Sequence, residues 1–361
     1  MASTTPDPPT VSLRGVHHRF GQVQALRDLT FEVPARRITV LLGPNGAGKT
    51  TAIRSITGAL SPREGSIEVF GADPRTQGDL VRPRCGVVSA KPALYDRLSG
   101  YDNLLYSGQL YEVPDLVLAE RIHASARRFG IDDALGQQVG GYSTGMKTRL
   151  ALARSVLHDP DLLLFDEPTS GLDPESAQAV LDMIRDMTAE GKTVVMCTHL
   201  LAEAEGLADH VVVMEAGTTL CAASPNELSA RYWPTALVSL DAERPDQLDQ
   251  IARWPGVLGY SRGATVVVEL DRFGRVPDLI AELTRGGVRL TRVEPHVPTL
   301  EDLYFAVRRQ SSDRGLAPVF PLAGSPLTGS AIAEDSLSSL RLPRHMGAGR
   351  RATTRDPEVT R

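Results

Sequence analysis

The sequence has few cysteines and no excess of positive charge. Its three cysteines, Cys85, Cys197 and Cys221, are far apart and form no C-x-x-C pair. This odd number and wide spacing argue against a disulfide framework and a zinc site, so reduced thiols are expected. The net charge of -5 at pH 7 offers no basic surface for a phosphate backbone, and no nucleic-acid partner is expected.

Long hydrophobic runs are also missing. No segment approaches the roughly 18 uncharged apolar residues that a membrane-spanning helix needs, and the amino terminus has neither a basic start nor an apolar stretch. We therefore expect a cytoplasmic chain whose membrane association depends on a partner. With 361 residues, of which 42% are hydrophobic, two or three domains with packed cores are expected.

The most informative segment is the glycine-rich stretch Gly43–Thr50. It matches the phosphate-loop pattern G-x-x-x-x-G-K-[ST] between an aliphatic strand, Ile38–Leu42, and a predicted helix, Thr50–Leu60. Its glycines allow backbone N–H groups to surround phosphate oxygens, the Lys49 ammonium reaches the terminal phosphates, and the Thr50 hydroxyl can bind magnesium. The context predicts a nucleoside triphosphate ligand, and a glycine-rich turn without a ligand is the competing interpretation.

Hydrophobic patterning divides the rest of the chain. Alternating apolar residues within 11–33 and 66–70 predict antiparallel strands, and helices are predicted from 92 to 141. Residues 144–214 alternate between helix and strand, which predicts a parallel sheet. Residues 235–293 follow the order βαββαβ of a ferredoxin-like unit, with a closing helix over 299–307. In the helical part, one face is predicted for Leu118, Ala119, Ile122, Ala126 and Phe129.

These patterns predict an α/β fold with three parts. Residues 9–231 form the main domain, with a parallel core sheet, an antiparallel flank and an inserted helical segment at about 92–142. Residues 235–309 form a small α+β ferredoxin-like domain. Residues 310–361 are rich in Ser, Gly, Pro and Arg without sustained periodicity, so a disordered tail is expected there.

Two adjacent carboxylates follow the apolar strand Leu162–Phe165. Side chains alternate along a strand, so Asp166 and Glu167 are expected to have different roles. Asp166 would hold magnesium directly or through water, and Glu167 would orient and deprotonate the water that attacks the γ-phosphate. A solvated surface turn is the alternative, and the phosphate loop argues against it.

Two more candidates lie at the ends of secondary-structure elements. Ser143 precedes an amphipathic helix as its N-cap, and together with Gly145 it can approach a phosphate closely. His199 follows the strand Thr193–Cys197 at the carboxyl edge of the predicted sheet. A plain helix cap and a structural histidine are the alternatives. Four candidates, namely the phosphate loop, the Asp166–Glu167 pair, Ser143 and His199, fall at equivalent ends of secondary-structure elements. This coincidence favours one shared site.

From about Val11 to Arg231 the chain resembles the ATP-binding cassette (ABC) ATPases, the nucleotide-binding subunits of ABC transporters. The resemblance implies a Walker A loop at 43–51, a Walker B strand at 162–166 and a D-loop at 170–173. It implies Glu167, His199 and Lys49 as catalytic residues, with Mg²⁺ held at Thr50 and Asp166. The ATP-binding residues that it implies are Phe20, which would stack on adenine, and Gly43, Pro44, Asn45, Gly46, Ala47, Gly48, Lys49, Thr50, Thr51, Ser143, Gly145 and Asp173.

The same resemblance makes Tyr142–Met146 the signature motif, which in this family contacts ATP bound to the opposite subunit. It implies a head-to-tail dimer, expected to be a homodimer, and a separately encoded transmembrane permease that holds the chain on the inner face of the cell membrane. The βαββαβ unit resembles the C-terminal domain of a prokaryotic exporter branch that includes drug and antibiotic exporters. The leading hypothesis is therefore an ATPase that powers export of a hydrophobic small molecule.

The chain departs from the family pattern at two places. Thr144 and Met146 replace a usual glycine and a frequent glutamine of the signature motif, whereas Ser143 and Gly145 are kept. Ala90 stands where the Q-loop normally has glutamine or glutamate, and its methyl group can neither donate nor accept a hydrogen bond. This departure motivates one alternative, a weakly hydrolysing regulatory subunit. Another is a soluble ABC ATPase in translation or DNA repair, which usually has two cassettes or a long coiled-coil insertion.

Overall fold

The computed structural model describes residues 7–313 as a succession of strands and helices. The strands are β1 (Val11–Phe20), β2 (Val23–Val33), β3 (Ile38–Leu42), β4 (Glu64–Val69), β5 (Cys85–Val88), β6 (Leu162–Asp166), β7 (Thr193–Thr198), β8 (His210–Glu215), β9 (Thr218–Ala223), β10 (Ala236–Ala242), β11 (Val257–Arg262), β12 (Val266–Leu270) and β13 (Leu290–His296). The α-helices are α1 (Lys49–Ile56), α2 (Gly78–Val81), α3 (Gly100–Leu110), α4 (Asp115–Arg128), α5 (Thr144–Val156), α6 (Pro174–Ala189), α7 (Leu201–Ala204), α8 (Pro225–Tyr232), α9 (Val276–Arg285) and α10 (Leu300–Asp313). None of the helices within 7–313 is both long and apolar enough to cross a bilayer.

These elements form two compact units. The first contains the chain up to Trp233 together with 298–313, and the second contains Pro234–Val297. The predicted domain at 235–309 is therefore wrong at its C-terminal end, because α10 belongs to the first unit. Residues 310–313 continue α10 and are not part of a tail. The remainder of the predicted tail lies outside the described residues.

The first unit contains two sheets. One has the strand order β5-β6-β7-β3-β8-β9, in which neighbouring strands are parallel except for the antiparallel pair β8 and β9. The other has the order β2-β1-β4 and is antiparallel throughout. The predicted parallel core with an antiparallel flank is confirmed.

Side chains of the central strands alternate between two hydrophobic cores. In β6, Leu163 and Phe165 belong to the core that includes the helical segment, whereas Leu162 and Leu164 belong to the core that includes the antiparallel sheet. All five residues of β6 are buried, as expected for a strand covered on both faces. The register pairs Leu42 of β3 with Thr198 of β7 and Asp166 of β6 with Cys197 of β7, so the carboxyl ends of the three strands lie together at one edge.

The inserted helical segment differs in detail from the prediction. Its first α-helix, α3, begins at Gly100 and not near residue 92, and α4 follows it. Ser99 caps α3 by accepting a hydrogen bond from the Asp102 backbone N–H at 3.0 Å. The predicted face is right for four of its five members, since Leu118, Ile122, Ala126 and Phe129 are buried. Ala119 is exposed, because it lies one residue, or about 100° of helical rotation, from Leu118.

The second unit has the predicted βαββαβ order. Its strands lie in the order β11-β12-β10-β13, and each neighbouring pair is antiparallel. The sequence pattern predicts its first helix over 246–254, and the structure has a 3-10 helix, Pro245–Arg253, at this place. This element and α9 bury Leu248, Ile251, Leu279 and Leu283 in one core with strand residues of the sheet.

Candidate active site

The phosphate loop connects β3 to α1 through two glycines in the left-handed region. Gly46 has a φ of 82° and Gly48 a φ of 99°, values that other residues rarely adopt. The Ala47 backbone N–H donates to the Pro44 carbonyl at 3.1 Å, which closes the turn. Gly48 is the N-cap of α1, so the loop leads directly into a helix N-terminus whose N–H groups can bind phosphate.

Close packing against neighbouring backbone also explains why glycine stands at positions 43 and 48. A Cβ atom on Gly43 would lie 2.3 Å from the carbonyl oxygen of Met214, and one on Gly48 would lie 2.8 Å from that of Ala25. The Gly217 backbone N–H donates to the Ala47 carbonyl at 3.1 Å, so the turn between β8 and β9 supports the loop from below. Gly217 was not predicted as part of the site, although a glycine after an apolar strand is a turn signal.

The side chain of Lys49 lies over the loop and is almost fully buried, with 6% of its surface exposed. Its Nζ donates to the Gly43 carbonyl at 2.6 Å and to the Pro44 carbonyl at 3.2 Å. A buried ammonium needs such partners. These bonds hold the positive charge beside the loop's backbone.

Thr50 and Asp166 join the loop to the end of β6. The Thr50 Oγ1 donates to the Asp166 Oδ2 at 2.7 Å, and the carboxylate is 4% exposed. Burial raises the pKa of the Asp166 carboxyl, and the hydrogen bond from Thr50 opposes that effect. No group of three or more His, Cys, Asp or Glu side chains suited to a metal occurs within 7–313. The Thr50 hydroxyl and the Asp166 carboxylate are neighbouring hard oxygen donors, and such donors suit a Mg²⁺ ion that takes its other ligands from phosphate and water.

Glu167 and His199 form a second pair at the same edge. The His199 Nδ1 lies 3.0 Å from the Glu167 Oε1, and both side chains remain partly accessible to solvent. Glu167 has a φ of 52°, and its backbone N–H donates to the Cys197 carbonyl at 2.9 Å. A non-glycine residue held in this region is typical of functional sites. The geometry turns the carboxylate away from the strand and towards the histidine.

The segment that carries His199 is fixed by its neighbours. Thr198 Oγ1 accepts from the Leu200 backbone N–H at 3.0 Å and donates to the Glu203 carboxylate at 2.8 Å. The hydrophobic pattern predicts a helix over 200–208, but α7 ends at Ala204 and Gly206 has a φ of 67°. A short, internally bonded turn therefore holds the histidine segment.

The signature motif and the D-loop lie next to each other. Ser143 caps α5 by accepting from the Met146 backbone N–H at 3.2 Å, which confirms the predicted cap. A Cβ atom on Gly145 would lie 3.7 Å from Leu172. Asp173 caps α6 through the Ser176 backbone N–H at 3.0 Å, and this bond lowers the pKa of its carboxyl. Hydrogen bonds between described residues connect the phosphate loop, β6 and His199, and none of them links Ser143 to the loop.

Phe20 and Ala90 lie at the borders of this region. Phe20 is 48% exposed, and its ring contacts His18 edge to face, with 4.6 Å between ring centroids. Ala90 is exposed, and the neighbouring Ser89 Oγ donates to the Lys91 carbonyl at 2.7 Å. The Ser89 hydroxyl proton is therefore used within its own turn.

Comparisons with known proteins agree with this geometry. The ABC transporter family model matches residues 26–170. The ABC transporter ATP-binding protein NatA of Bacillus subtilis (strain 168) is 38% identical over 55% of this chain and 81% of its own length. The daunorubicin resistance ATP-binding protein DrrA3 of Streptomyces coeruleorubidus is 32% identical over 81% of this chain and 94% of its own length. A solved ATP-binding subunit of an ABC transporter superposes with a TM-score of 0.58 at 26% identity, covering 62% of this chain and 93% of that one. This chain therefore belongs to the ABC transporter family, as an ATP-binding subunit of the exporter branch.

Proposed function

We propose that this chain hydrolyses ATP as the motor subunit of a membrane exporter. The observation that carries the proposal is the meeting of two side-chain pairs at one sheet edge. Thr50 and Asp166 lie 2.7 Å apart, and Glu167 and His199 lie 3.0 Å apart. Asp166 and Glu167 are consecutive, so a triphosphate on the loop has a metal-binding pair and an acid–base pair beside it.

The loop and Lys49 bind the phosphates in this proposal. Backbone N–H groups of Gly43–Thr51 face the phosphate oxygens, and the Lys49 ammonium exchanges its loop carbonyl partners for the terminal phosphates. The exposed ring of Phe20 stacks on the adenine. Together these contacts hold the γ-phosphate near the carboxyl end of β6.

Thr50 and Asp166 would hold Mg²⁺, through oxygen atoms that are already adjacent. The ion neutralises charge on the phosphate oxygens. Because Asp166 is buried, its ionised form is costly without a cation nearby. A cation-bound site relieves that cost, which ties ATP and Mg²⁺ binding to the same residues.

Glu167 acts as the general base. Its carboxylate orients the attacking water and accepts a proton as the oxygen attacks the γ-phosphorus and the bond to the leaving ADP oxygen breaks. The products are ADP and inorganic phosphate. His199 holds the carboxylate in position through the bond between Nδ1 and Oε1.

The complete site needs a second cassette. Ser143 lies at an exposed helix start, and its hydroxyl forms a bond only within its own cap among the hydrogen bonds of the described residues. We assign Ser143, Gly145 and Asp173 to the opposite face of a head-to-tail homodimer, where the first two meet the γ-phosphate of the partner's ATP. ATP binding would close this dimer and hydrolysis would open it.

A separately encoded permease would convert closure into transport at the inner face of the cell membrane. Motion passes through residues 86–104, which include the exposed side chains of Tyr95 and Leu98. A hydrophobic small molecule such as a drug or an antibiotic is the proposed cargo. Its support is the likeness to a relative named for daunorubicin resistance. Daunorubicin efflux from cells that express the chain and its permease tests this choice, and an unaltered efflux rate contradicts it.

The hydrolytic role is tested with Glu167→Gln, measured on the full chain with and without its permease. General-base catalysis contributes about 100-fold or more, so hydrolysis should fall by at least that factor while ATP still binds. Glu120→Gln on the exposed side of α4 is the matched control and should leave the rate unchanged. A Glu167→Gln rate equal to that of the parent chain would contradict the assignment.

The dimer is tested by mixing two inactive variants. Lys49→Ala disables the loop side of both sites, and Ser143→Arg disables the opposite side. A mixed dimer retains one intact composite site, so part of the activity should return on mixing. Activity that stays at background in the mixture, while the parent chain is active, argues against sites shared between subunits.

A further inference from the structure

The last described helix, α10, is built into the core of the first unit. Leu300, Leu303, Tyr304 and Val307 are each less than 9% exposed and share one cluster with Leu228 of α8. In sequence, α10 is separated from α8 by the whole second unit. An amphipathic helix buried to this degree holds a fixed position against the elements that it touches.

At its C-terminal half, α10 forms a buried ion pair with β8. Arg308 Nη2 donates to Glu215 Oε1, and Arg308 Nε lies 3.4 Å from Glu215 Oε2. The two side chains are 15% and 7% exposed. A two-pronged contact of this kind fixes both direction and distance, since the guanidinium fork matches the carboxylate.

Residues on both sides of Glu215 in the chain contact the phosphate loop. A Cβ atom on Gly43 would lie only 2.3 Å from the carbonyl oxygen of Met214, the residue before Glu215. Two residues after it, Gly217 donates its N–H to the Ala47 carbonyl. The backbone that carries Glu215 therefore touches the loop on both sides, and a shift of Glu215 moves both contacts.

The N-terminal end of α10 is attached to the segment after His199. The Leu300 backbone N–H donates to Glu205 Oε2 at 2.5 Å, and the Glu205 N–H donates to the carbonyl of Leu201, the first residue of α7. Thr299 and Asp302 cap the helix through a side-chain bond of 2.8 Å. The helix is thus held at its N-terminal end and, through Arg308, in its C-terminal half.

We propose that Arg308 and Glu215 are positioning residues for ATP binding, and that α10 holds the phosphate loop in its binding conformation through them. This inference rests on the proposed function, because it takes the loop as the ATP site. Neither residue touches the nucleotide. Their effect passes through Met214 and Gly217 to the loop backbone, where small displacements change the fit to phosphate oxygens.

The test is calorimetric titration of the full chain with ATP and Mg²⁺, which yields both the dissociation constant and the number of sites. Arg308→Ala should weaken ATP binding about 5-fold or more. Arg308→Lys keeps the charge without the fork, so it should recover part of the affinity. The matched control is Arg309→Ala, which removes the next arginine along the exposed side of α10 and should leave the dissociation constant unchanged.

The number of sites separates positioning from folding. A purely structural role lowers the number of binding sites without changing the dissociation constant, and that result would overturn the inference. Glu215→Gln, which keeps a hydrogen-bond acceptor, provides the same measurement if Arg308→Ala does not fold. The double variant Arg308→Ala with Glu215→Gln should bind ATP no more weakly than the weaker-binding single variant. Both substitutions remove the same interaction, so their effects do not add. If the parent chain itself does not bind ATP, the proposed function fails. If the parent binds ATP and Arg308→Ala, Arg308→Lys and Glu215→Gln all have the same dissociation constant as the parent, only this inference fails.

Discussion

Thr50 Oγ1 donates to Asp166 Oδ2 across 2.7 Å, which joins the phosphate loop to the last residue of β6. The carboxylate is buried, and burial raises the pKa of Asp166. Its ionised form therefore costs folding free energy at neutral pH, since the unfolded chain ionises more easily. A cost to stability of this kind is typical of carboxylates at functional sites.

Asp166→Asn should accordingly stabilise the fold while it abolishes ATP hydrolysis. The amide oxygen can still accept from Thr50, and the buried charge is gone. Denaturant unfolding at pH 7 with a chelator present should show a higher free energy of unfolding for the variant. The control is Asp161→Asn, which replaces an exposed carboxylate just before β6. It removes no buried charge, so it should not give this gain in unfolding free energy. A lower unfolding free energy in Asp166→Asn than in the parent chain would contradict this expectation.

Two partly buried histidines predict acid sensitivity. The His158 ring stacks on Tyr111 with 3.8 Å between centroids, and its Nε2 bonds to the Cys85 carbonyl at 3.1 Å. Burial lowers the pKa of His158, and also that of His210, below the ordinary histidine value of 6.5. Protonation would put a charge and an unpaired N–H on each Nδ1, which has no hydrogen-bond partner among the described residues.

Acid should weaken the fold through these two histidines. Below about pH 6.5 the unfolded chain takes up protons that the folded chain does not, so stability is full above that pH and falls as the pH drops through the folded-state pKa. Unfolding free energies measured between pH 7.5 and 5 should therefore decline. His158→Gln should reduce the slope, because the amide can still donate to the Cys85 carbonyl without titrating. An unchanged slope in His158→Gln and in the double variant with His210→Gln would remove these histidines as the cause.

The close packing of Gly43 predicts a stability cost for a single methyl group. Gly43→Ala places a Cβ atom 2.3 Å from the Met214 carbonyl, so strand β8 and the loop must separate. Overpacking of this kind costs about 1–3 kcal/mol of unfolding free energy, and ATP affinity should fall with it. Gly141→Ala is the matched control, because a Cβ atom on Gly141 would meet nothing within 4 Å beyond its chain neighbours and should be close to neutral. Equal unfolding free energies for the two variants would show that the loop is free to relax.

The elements around the site were predictable from local patterns. The phosphate-loop motif, the apolar β6 ending in two carboxylates and the Ser143 cap each depend on residues close together in sequence. The parallel sheet then brings their ends together without further information. The short α7 was not predictable from hydrophobic spacing alone, although Gly206 marks the point at which the helix has already ended.

Contacts between residues far apart in the sequence could not be predicted from local patterns. Helix α10 was expected to close the ferredoxin-like unit, because its hydrophobic face does not specify which core will bury it. The ion pair between Arg308 and Glu215 joins residues 93 positions apart, and neither residue stands out locally. Gly217 was missed for the same reason, since its importance comes from the Ala47 carbonyl above it.

Ala90 stands where a glutamine or glutamate side chain is usual in the family. Ser89 is the nearest possible replacement, and its hydroxyl proton is already donated to the Lys91 carbonyl. The position therefore lacks a long polar side chain that could respond to the nucleotide. If it serves to couple hydrolysis to the permease, Ala90→Gln should change permease-stimulated hydrolysis more than the basal rate.

Both rates are measured on the same preparation, with and without the permease. Ala119→Gln places an identical side chain on an exposed residue of α4, outside residues 86–104, and should alter neither rate. Since the added amide in Ala90→Gln can both donate and accept hydrogen bonds, its effect should depend on ATP and Mg²⁺ being bound. Equal changes in the basal and stimulated rates would show that Ala90 affects the chemical step itself, and the regulatory explanation of this departure would then be wrong.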